Sequence, residues 1–488
     1  MHFSFNLLVI FLLWVAAPAL AQWSSVDGFV SGDPDGSVAL DQSAPPREED
    51  LPTVAADPAV PGKVQSDLES LTRTLATRDA VVSRTPDPTL NTAQKATPLS
   101  PREVAFAQTA WRYFQTTTDA KTGLVRSTLR FPSTTLWDQG GYFIALVSAY
   151  RLGLVSRLDA VARASMALRS LYNMPLNNGI FPNKAYNTET LEMTDYANKV
   201  VANGIGYSAL DIMRLISGMV ALEQAFPEVA AFSKSVRGKW PLHDLILHGR
   251  FYSTTTVGER SKGLRQEGRI GYEQYAARVA VHIGLDANLA MSFASILRWQ
   301  AHDGIMIPGD RRLASTHGID PVTTSEPFIL EALEYGWRPE ARAVAMAVFA
   351  AQFKRFQTTG KLTSLSEDHI AGAPYFAYGG ILVGERPFET VTPGRKVVNG
   401  KRSISTKASF GWWVLTNHDY GALLVQALED LRTEHGWQAG LFETDLSPNT
   451  IVTLNTNAVV LQALHYKAFG PIIRDVHAHP AHSNSAGE

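Results

Sequence analysis

The order of apolar and polar residues predicts a mostly helical domain that begins at Ser100. Residues Ser100 to Glu103 have the form of a capping box, with Pro101 at the first helical position. Apolar residues then recur every three or four positions, at Val104, Ala107, Trp111 and Phe114. The same periodicity predicts further helices at 137–152, 156–173, 206–225, 271–284, 327–335, 339–356, 418–433 and 455–468.

A glycine followed by apolar residues recurs six times between the predicted helices, at Gly123, Gly179, Gly249, Gly304, Gly360 and Gly440. These glycines are separated by 56, 70, 55, 56 and 80 residues, which suits one helical hairpin and its loop per repeat. Glycine also marks loops in general, so it is the spacing that indicates a repeat. We therefore predict an all-α fold, an α/α toroid of about six helical hairpins with short β-hairpins in the loops at one end.

The N-terminal residues differ in composition from this helical domain. The apolar run Leu7–Leu20 ends in the small-residue pattern Ala19-Leu20-Ala21, which predicts a cleaved signal peptide. An uncleaved anchor is the alternative, because no Lys or Arg precedes the run. Either interpretation places the domain outside the cytoplasm, in the periplasm or secreted. The predicted segments are a signal peptide at 1–21, a disordered Pro/Asp/Ser-rich tether at 22–98, the toroid at 99–475 and a flexible tail at 476–488.

Charge and composition exclude several classes of function. A net charge of −2 argues against a nucleic-acid partner, which requires a basic face. The chain has no cysteine, which excludes disulfides, a thiolate nucleophile and cysteine-based metal sites. We expect neither a metal nor another cofactor. The chain has ten Trp and fifteen Tyr, many beside Gly, Asn or Asp, which is typical of surfaces that stack on sugars.

The loops of a toroid line its central cleft, and carboxylates and aromatic residues concentrate in the predicted loops. Asp138 could line the cleft or cap its helix, and Glu326 is equally ambiguous. Glu267 precedes a glycine in a loop and is expected to be accessible, whereas Glu273 lies in a first helical turn and is expected to be structural. The candidate catalytic acids are Glu367, Asp138, Asp195 and Glu267. The candidate sugar-binding residues are Trp137, Tyr186, Asn187, Tyr196, Arg265, Arg269, Tyr272 and Tyr378.

Three segments resemble an uncharacterised bacterial domain family found in exported proteins. They are 134–154 with its Trp-Asp-Gln-Gly-Gly-Tyr, 182–215 with its Pro-Asn-Lys-Ala-Tyr-Asn-Thr, and 266–277. This family is distantly similar to the glucoamylase-like α/α toroids of β-1,2-glucan-handling enzymes, in which a Ser-Glu loop presents an acid to the cleft. The resemblance implies that Ser366-Glu367 is the matching position, although fold transfers more safely than reaction over such a distance.

Glycoside hydrolysis requires two carboxylates, one protonated and one ionised. We therefore expect an inverting glycoside hydrolase of a bacterial glucan or exopolysaccharide, with Glu367 as proton donor and Asp138, Asp195 or Glu267 as base. One alternative is a non-catalytic polysaccharide-binding or scaffold component of an exopolysaccharide synthesis or secretion system, with assembly proteins as partners. Another is a polysaccharide lyase with Tyr272 as base beside Arg269. In each case the ligand is a polysaccharide or oligosaccharide.

Overall fold

A computed structural model describes residues 97–257, 260–317, 319 and 321–474. The predicted signal peptide, residues 22–96 of the predicted tether and the predicted tail lie outside the described residues. None of the helices in the described part of the chain combines the length and apolar character needed to span a bilayer.

The helices follow the apolar periodicity closely. They are α1 (Pro101–Thr117), α2 (Leu136–Arg151), α3 (Arg157–Asn173), α4 (Ala209–Ala225), α5 (Pro227–Arg237), α6 (Tyr272–His282), α7 (Asn288–Met291), α8 (Ala314–His317), α9 (Glu326–Tyr335), α10 (Pro339–Thr359), α11 (Thr406–Thr416), α12 (Asp419–Ala427) and α13 (Leu454–Phe469). Ser100 forms the predicted capping box of α1. Hydroxyl groups also cap the helices α2, α4 and α13, each accepting a hydrogen bond from an amide of the first turn.

Six of these helices contact one another in a closed cycle. Helix α2 packs against α4, α4 against α6, α6 against α9, α9 against α11, α11 against α13, and α13 against α2. These ring helices are buried over most of their surface, as α9 is along its whole length. The flanking helices α3 and α5 instead bury a single face. A closed cycle of buried helices is the central feature of the predicted α/α arrangement.

The glycine repeat corresponds to one position in this architecture. Each of the six glycines lies in the segment that follows a flanking helix and precedes the next ring helix. Five of them have φ between 70° and 78°, a backbone region that disfavours any residue with a Cβ atom. Gly440 is the exception, and lies in a strand where a Cβ atom would stand 2.3 Å from the carbonyl oxygen of Ile404.

The strands form small antiparallel sheets between the helices. They are β1 (Ser133–Thr135), β2 (Leu176–Asn177), β3 (Phe181–Pro182), β4 (Ala185–Asn187), β5 (Met193–Thr194), β6 (Ile246–Leu247), β7 (Arg250–Val257), β8 (Arg260–Gln266), β9 (Leu297–His302), β10 (Ile305–Asp310), β11 (Val322–Thr323), β12 (Glu367–His369), β13 (Phe376–Val383), β14 (Arg386–Val391), β15 (Ser403–Ser405), β16 (Arg432–Thr433), β17 (Gly436–Phe442) and β18 (Pro448–Val452). The largest sheets have the orders β11-β13-β12, with β14 on β13, and β15-β17-β16, with β18 on β17. The structure therefore contains larger sheets than the short β-hairpins that were predicted for the loops.

The helical predictions need correction at several places. Helix α5 and the four-residue helices α7 and α8 were not predicted. The helix predicted at 418–433 ends at Ala427, and a 3₁₀ turn and strand β16 follow it. Helix α11 was not predicted, because its first seven residues are all buried and include Lys407 and Gly411, so the sequence lacks a one-sided apolar pattern.

A buried ion pair joins ring helices below the mouth of the ring. Arg214 of α4 and Glu334 of α9 are in direct contact, and both side chains are fully buried. Arg214 Nη1 also donates to Tyr275 Oη over 2.7 Å. Glu334 Oε2 accepts hydrogen bonds from Tyr275 Oη and Ser217 Oγ, each at 2.7 Å. Removing one partner would leave the other charge uncompensated in the core.

We expect Glu334→Gln to lower the free energy of unfolding by about 3–5 kcal/mol, because Arg214 would remain charged and buried. Urea unfolding followed by circular dichroism measures this change. The matched control is Glu228→Gln, which breaks an ion pair with Arg157 whose side chains are 42% and 47% exposed. Because this pair is exposed and screened by solvent, the control should unfold at nearly the wild-type urea concentration. Equal losses in the two variants would contradict the expectation.

Candidate active site

The first turns of the ring helices place polar or aromatic side chains around one mouth. Each ring helix begins after the chain has returned along a flanking segment, so the ring helices start at the same end. One such residue from each first turn is Asp138 of α2, Asp211 of α4, Tyr272 of α6, Glu326 of α9, Lys407 of α11 and Asn455 of α13. Helix N-termini favour carboxylates, which accounts for the three acids among them.

Glu326 lies at the centre of this group. Its Oε2 atom contacts Lys407 Nζ, and its Oε1 atom accepts a hydrogen bond of 2.7 Å from Asn455 Nδ2. Lys407 Nζ also lies 3.8 Å from Asp368 Oδ1 on strand β12. Burial opposes the charge of Lys407, but the carboxylates of Glu326 and Asp368 outweigh it and raise the pKa of the ammonium group. Lys407 therefore remains a cation that holds two acids.

Glu367 lies beside Glu326 with both carboxylate oxygens engaged. Its Oε1 atom accepts from Tyr272 Oη, and its Oε2 atom accepts from Arg269 Nη2 at 2.7 Å. The Arg269 guanidinium packs 4.2 Å from the centre of the Tyr378 ring, which lies opposite Glu367 on β13. Burial raises the pKa of Glu367 to about 7 although Arg269 opposes the shift, and Glu326 raises it further. This carboxyl group can thus exchange a proton near neutral pH.

Asp368 follows Glu367 on strand β12, and adjacent strand residues point to opposite faces. Glu367 faces Tyr272 of α6, whereas Asp368 faces β15 and α11, where Ser405 Oγ donates to its Oδ1 atom over 3.2 Å. Burial raises the pKa of Asp368 to about 6, against the effects of Lys407 and Ser405. Strand β12 therefore places two acids on the two sides of the α9 N-terminus.

Asp138 lies on the far side of the ring, since α2 is opposite α9 in the cycle of helices. It nevertheless interacts electrostatically with Lys407 and Glu326. Its Oδ2 atom accepts hydrogen bonds from Ser127 Oγ and from Thr135 Oγ1, the latter at 2.9 Å. Burial raises its pKa, the two hydroxyls and Lys407 lower it, and Glu326 raises it. We call Asp138, Glu326, Glu367 and Asp368 the carboxylate cluster.

Trp137 is the half-buried aromatic residue beside the carboxylate cluster. Its ring lies edge-on to Tyr272, with 5.4 Å between ring centres. The guanidinium of Arg214 lies 5.5 Å from the centre of the Trp137 ring. Trp137 therefore connects the mouth of the ring to the buried ion pair below it, and its partial exposure leaves part of the side chain available to a ligand.

The structure brings together six of the residues predicted from the sequence: Glu367, Asp138, Trp137, Arg269, Tyr272 and Tyr378. Three of the predicted sugar platforms, however, are enclosed. The side chains of Tyr186, Tyr272 and Tyr378 are at most 1% exposed, so their rings have no face open to a sugar. Tyr272 and Tyr378 instead hold Glu367 and Arg269, and Tyr186 donates to the Pro175 carbonyl oxygen over 2.7 Å.

Two further candidates form loop turns. Asp195 Oδ1 accepts from the amides of Ala197 and Lys199, at 3.0 and 2.9 Å. Asn187 Oδ1 accepts from two amides in the same way. These are the Asx turns that such side chains form in loops. Tyr196 and Arg265 are half-buried, next to Asp195 and on strand β8 respectively.

The expected accessibility of Glu267 is wrong, because this residue is fully buried. Its Oε2 atom accepts from the Ala209 amide at 2.6 Å, and its Oε1 atom accepts from Ser208 Oγ at 2.8 Å. An anion at this position satisfies the free amides of the α4 N-terminus. Glu273 lies between Arg250 and Arg312 in buried ion pairs, in agreement with the expected structural role.

Patterns in the sequence did not identify Lys407, Asn455 and Asp368, and left Glu326 undecided. Asp368 adjoins a candidate, so strand alternation alone could have suggested it. Lys407 carried no local pattern, because its partners lie 81 and 39 positions away in the sequence. Within the described residues, no group of three or more His, Cys, Asp or Glu side chains has an arrangement that could hold a metal ion.

Comparisons with solved structures show the fold. A glucoamylase-like protein of Bacteroides fragilis matches with a TM-score of 0.55 at 15% identity, over 78% of this chain and 94% of that one. The endo-β-1,2-glucanase of Chitinophaga pinensis, in complex with sophorotriose and glucose, matches with a TM-score of 0.55 at 12% identity, over 77% and 94%. The endo-β-1,2-glucanase of Talaromyces funiculosus with β-1,2-glucan matches with a TM-score of 0.50 at 10% identity, over 85% and 88%.

Sequence comparison supplies the family. A search of curated proteins gives no match. A family model does match residues 105–470, which is most of the chain and includes every ring helix. The chain therefore belongs to the family described as protein of unknown function DUF3131.

Proposed function

We propose that this protein is a glycoside hydrolase that cleaves a glucan or a related bacterial exopolysaccharide outside the cytoplasm. The observation that carries the proposal is the carboxylate cluster, in which the buried Glu367 has a pKa of about 7 beside acids held by Lys407. The likeness in fold to two endo-β-1,2-glucanases supports a glucan as the substrate.

Glu367 would act as the general acid. A carboxylic acid that is still protonated near neutral pH can donate its proton to the glycosidic oxygen as the bond to the anomeric carbon breaks. Tyr272 and Arg269 engage one oxygen each and so fix the orientation of the group. Arg269 would also stabilise the carboxylate that remains after the proton has left.

Asp138 would act as the base. Of the three bases proposed from the sequence, Asp195 orders a loop turn and Glu267 caps helix α4, which leaves Asp138 at the mouth. Asp138 would take a proton from a water molecule as the water oxygen bonds to the anomeric carbon. The products are two shorter glycans, and the two carboxyl groups end with their protonation states exchanged. Trp137 would stack against a sugar ring.

The lyase alternative is disfavoured by the surroundings of Tyr272. Its hydroxyl group donates to Glu367, and burial raises its pKa well above the usual range, with Glu326 and Glu367 adding to the shift. A tyrosine in that setting is a poor base at neutral pH.

We expect Glu367→Gln and Asp138→Asn each to lower kcat/KM on a cleaved glucan by about 10²–10⁴-fold, since each removes one proton transfer. The assay measures new reducing ends from β-1,2-glucan and a panel of neutral bacterial glucans. The control is Glu385→Gln, whose wild-type side chain is 82% exposed and which should retain full activity. If both variants keep wild-type rates, the assignment is wrong. If no glucan is cleaved but one is retained by the protein, the binding or scaffold alternative replaces the hydrolase.

We expect kcat/KM to decline about tenfold per pH unit above pH about 7, because the acid must be protonated and burial places the pKa of Glu367 near that value. The measurement is a profile of kcat/KM from pH about 4 to about 9. The residual activity of Glu367→Gln should lack the alkaline decline, since glutamine does not titrate. A decline that persists unchanged in this variant would assign the titration to another group.

A further inference from the structure

One carboxylate oxygen of the cluster has no role in the proposed acid–base steps. Asp368 is only 4% exposed, and its Oδ2 atom has no hydrogen-bond partner among the described residues. Its other oxygen is held by Ser405 Oγ at 3.2 Å and by Lys407 Nζ at 3.8 Å. A buried carboxylate oxygen without a donor costs free energy, so a hydroxyl group of a bound molecule that donated to it would be stabilised there.

Two further serines lie on the segments around Ser405. Ser403 lies two residues before Ser405 on strand β15, so both side chains share one face. The carbonyl oxygen of Ser364 accepts the Ser405 amide over 2.8 Å, which brings Ser364 to the same strand. Within the described part of the chain, the hydroxyls of Ser403 and Ser364 are buried without a hydrogen-bond partner, as is Asp368 Oδ2. The segments around Ser405 therefore carry one strict acceptor, Asp368 Oδ2, and two hydroxyl groups that can donate or accept.

The charge of the surroundings limits what can fill this space. The carboxylate cluster contributes four acids, of which Glu367 carries a proton near neutral pH, while two buried cations, Arg269 and Lys407, contact its members. Three carboxylates therefore face two cations. The excess is negative, and Lys407 is already shared by Glu326 and Asp368. An anionic ligand group would meet uncompensated carboxylates, whereas a neutral hydroxyl can donate to Asp368 Oδ2.

We propose that Asp368, held by Ser405 and Lys407, forms a subsite that accepts a hydrogen bond from a sugar hydroxyl and thereby selects neutral over acidic glycans. The inference rests on the proposed function for the carbohydrate nature of the ligand, but requires no cleavage. Asp368 binds the substrate in this subsite, while Glu367 and Asp138 perform the proton transfers.

The test is calorimetric titration with sophorotriose, a neutral β-1,2-linked trisaccharide, in the Glu367→Gln background, which slows turnover. Adding Asp368→Asn should weaken binding by about 10–100-fold. The substitution removes the negative charge and can place an amide NH₂ group, which cannot accept a hydrogen bond, where Oδ2 stood. The matched control, Asp286→Asn, changes an exposed aspartate and should leave the affinity unchanged. A sophorotriose whose terminal glucose is oxidised to glucuronic acid should bind at least about tenfold more weakly than sophorotriose itself.

A second measurement does not depend on the folding of a variant. Among monodeoxy sophorotrioses, one should bind the Asp368-containing protein at least about tenfold more weakly than the parent sugar, and should show no such deficit with Asp368→Asn. Unchanged affinity in Asp368→Asn, or no deficit for any deoxy sugar, would show that water alone occupies the subsite and would overturn the inference. A failure of sophorotriose and of the whole neutral glucan panel to bind would overturn it as well.

The two proposals fail in different ways. Binding that depends on Asp368, without release of reducing ends by the wild-type protein, would preserve the subsite and reject the hydrolase. Cleavage that is lost in Glu367→Gln, but whose KM is unchanged by Asp368→Asn, would preserve the hydrolase and reject the subsite.

Discussion

Neutralising the acids of helix α9 is the constraint on which the rest of the structure depends. All ten residues of this helix are buried, and three of them are glutamates. A buried carboxylate is tolerated only when it is paired and hydrogen-bonded. Each of the three has its own cation from another segment: Lys407 of α11 for Glu326, Arg338 for Glu331, and Arg214 of α4 for Glu334. These pairs fix how α9 fits against its neighbours in the ring.

The same requirement organises the candidate site. Lys407 contacts Glu326 and also lies near Asp368, so this one cation is shared by two acids. Glu367 is held separately by Arg269 and Tyr272 on the other side of α9. Burial raises the proton affinity of Glu367 against the effects of Arg269 and Tyr272, while these two residues fix its position. Enzymes prepare a carboxylic acid for catalysis in this way, without the cost of reorganisation during the reaction.

Local patterns in the sequence predicted the parts of the site that depend on local physics. Trp137 and Asp138 were found because carboxylates and aromatic residues concentrate in the predicted loops, and Glu367 was singled out by the resemblance at Ser366-Glu367. The same reasoning misjudged Glu267, since a glycine neighbour indicates a loop but not burial. Its carboxylate turns back onto the amides of α4, 58 residues away, and no local pattern records that contact.

The sequence by itself determined the helical periodicity, the cap of helix α1 at Ser100 and the six glycines between flanking and ring helices, because spacing, capping and positive φ are properties of a few neighbouring residues. Only the tertiary structure decided which acids meet. Glu326, Lys407 and Asn455 lie in three helices spread over 130 residues, and the latter two both contact Glu326 because closure of the ring brings their first turns together. The pKa of Glu367 was equally inaccessible to the sequence, since it follows from burial and from charges contributed by distant segments.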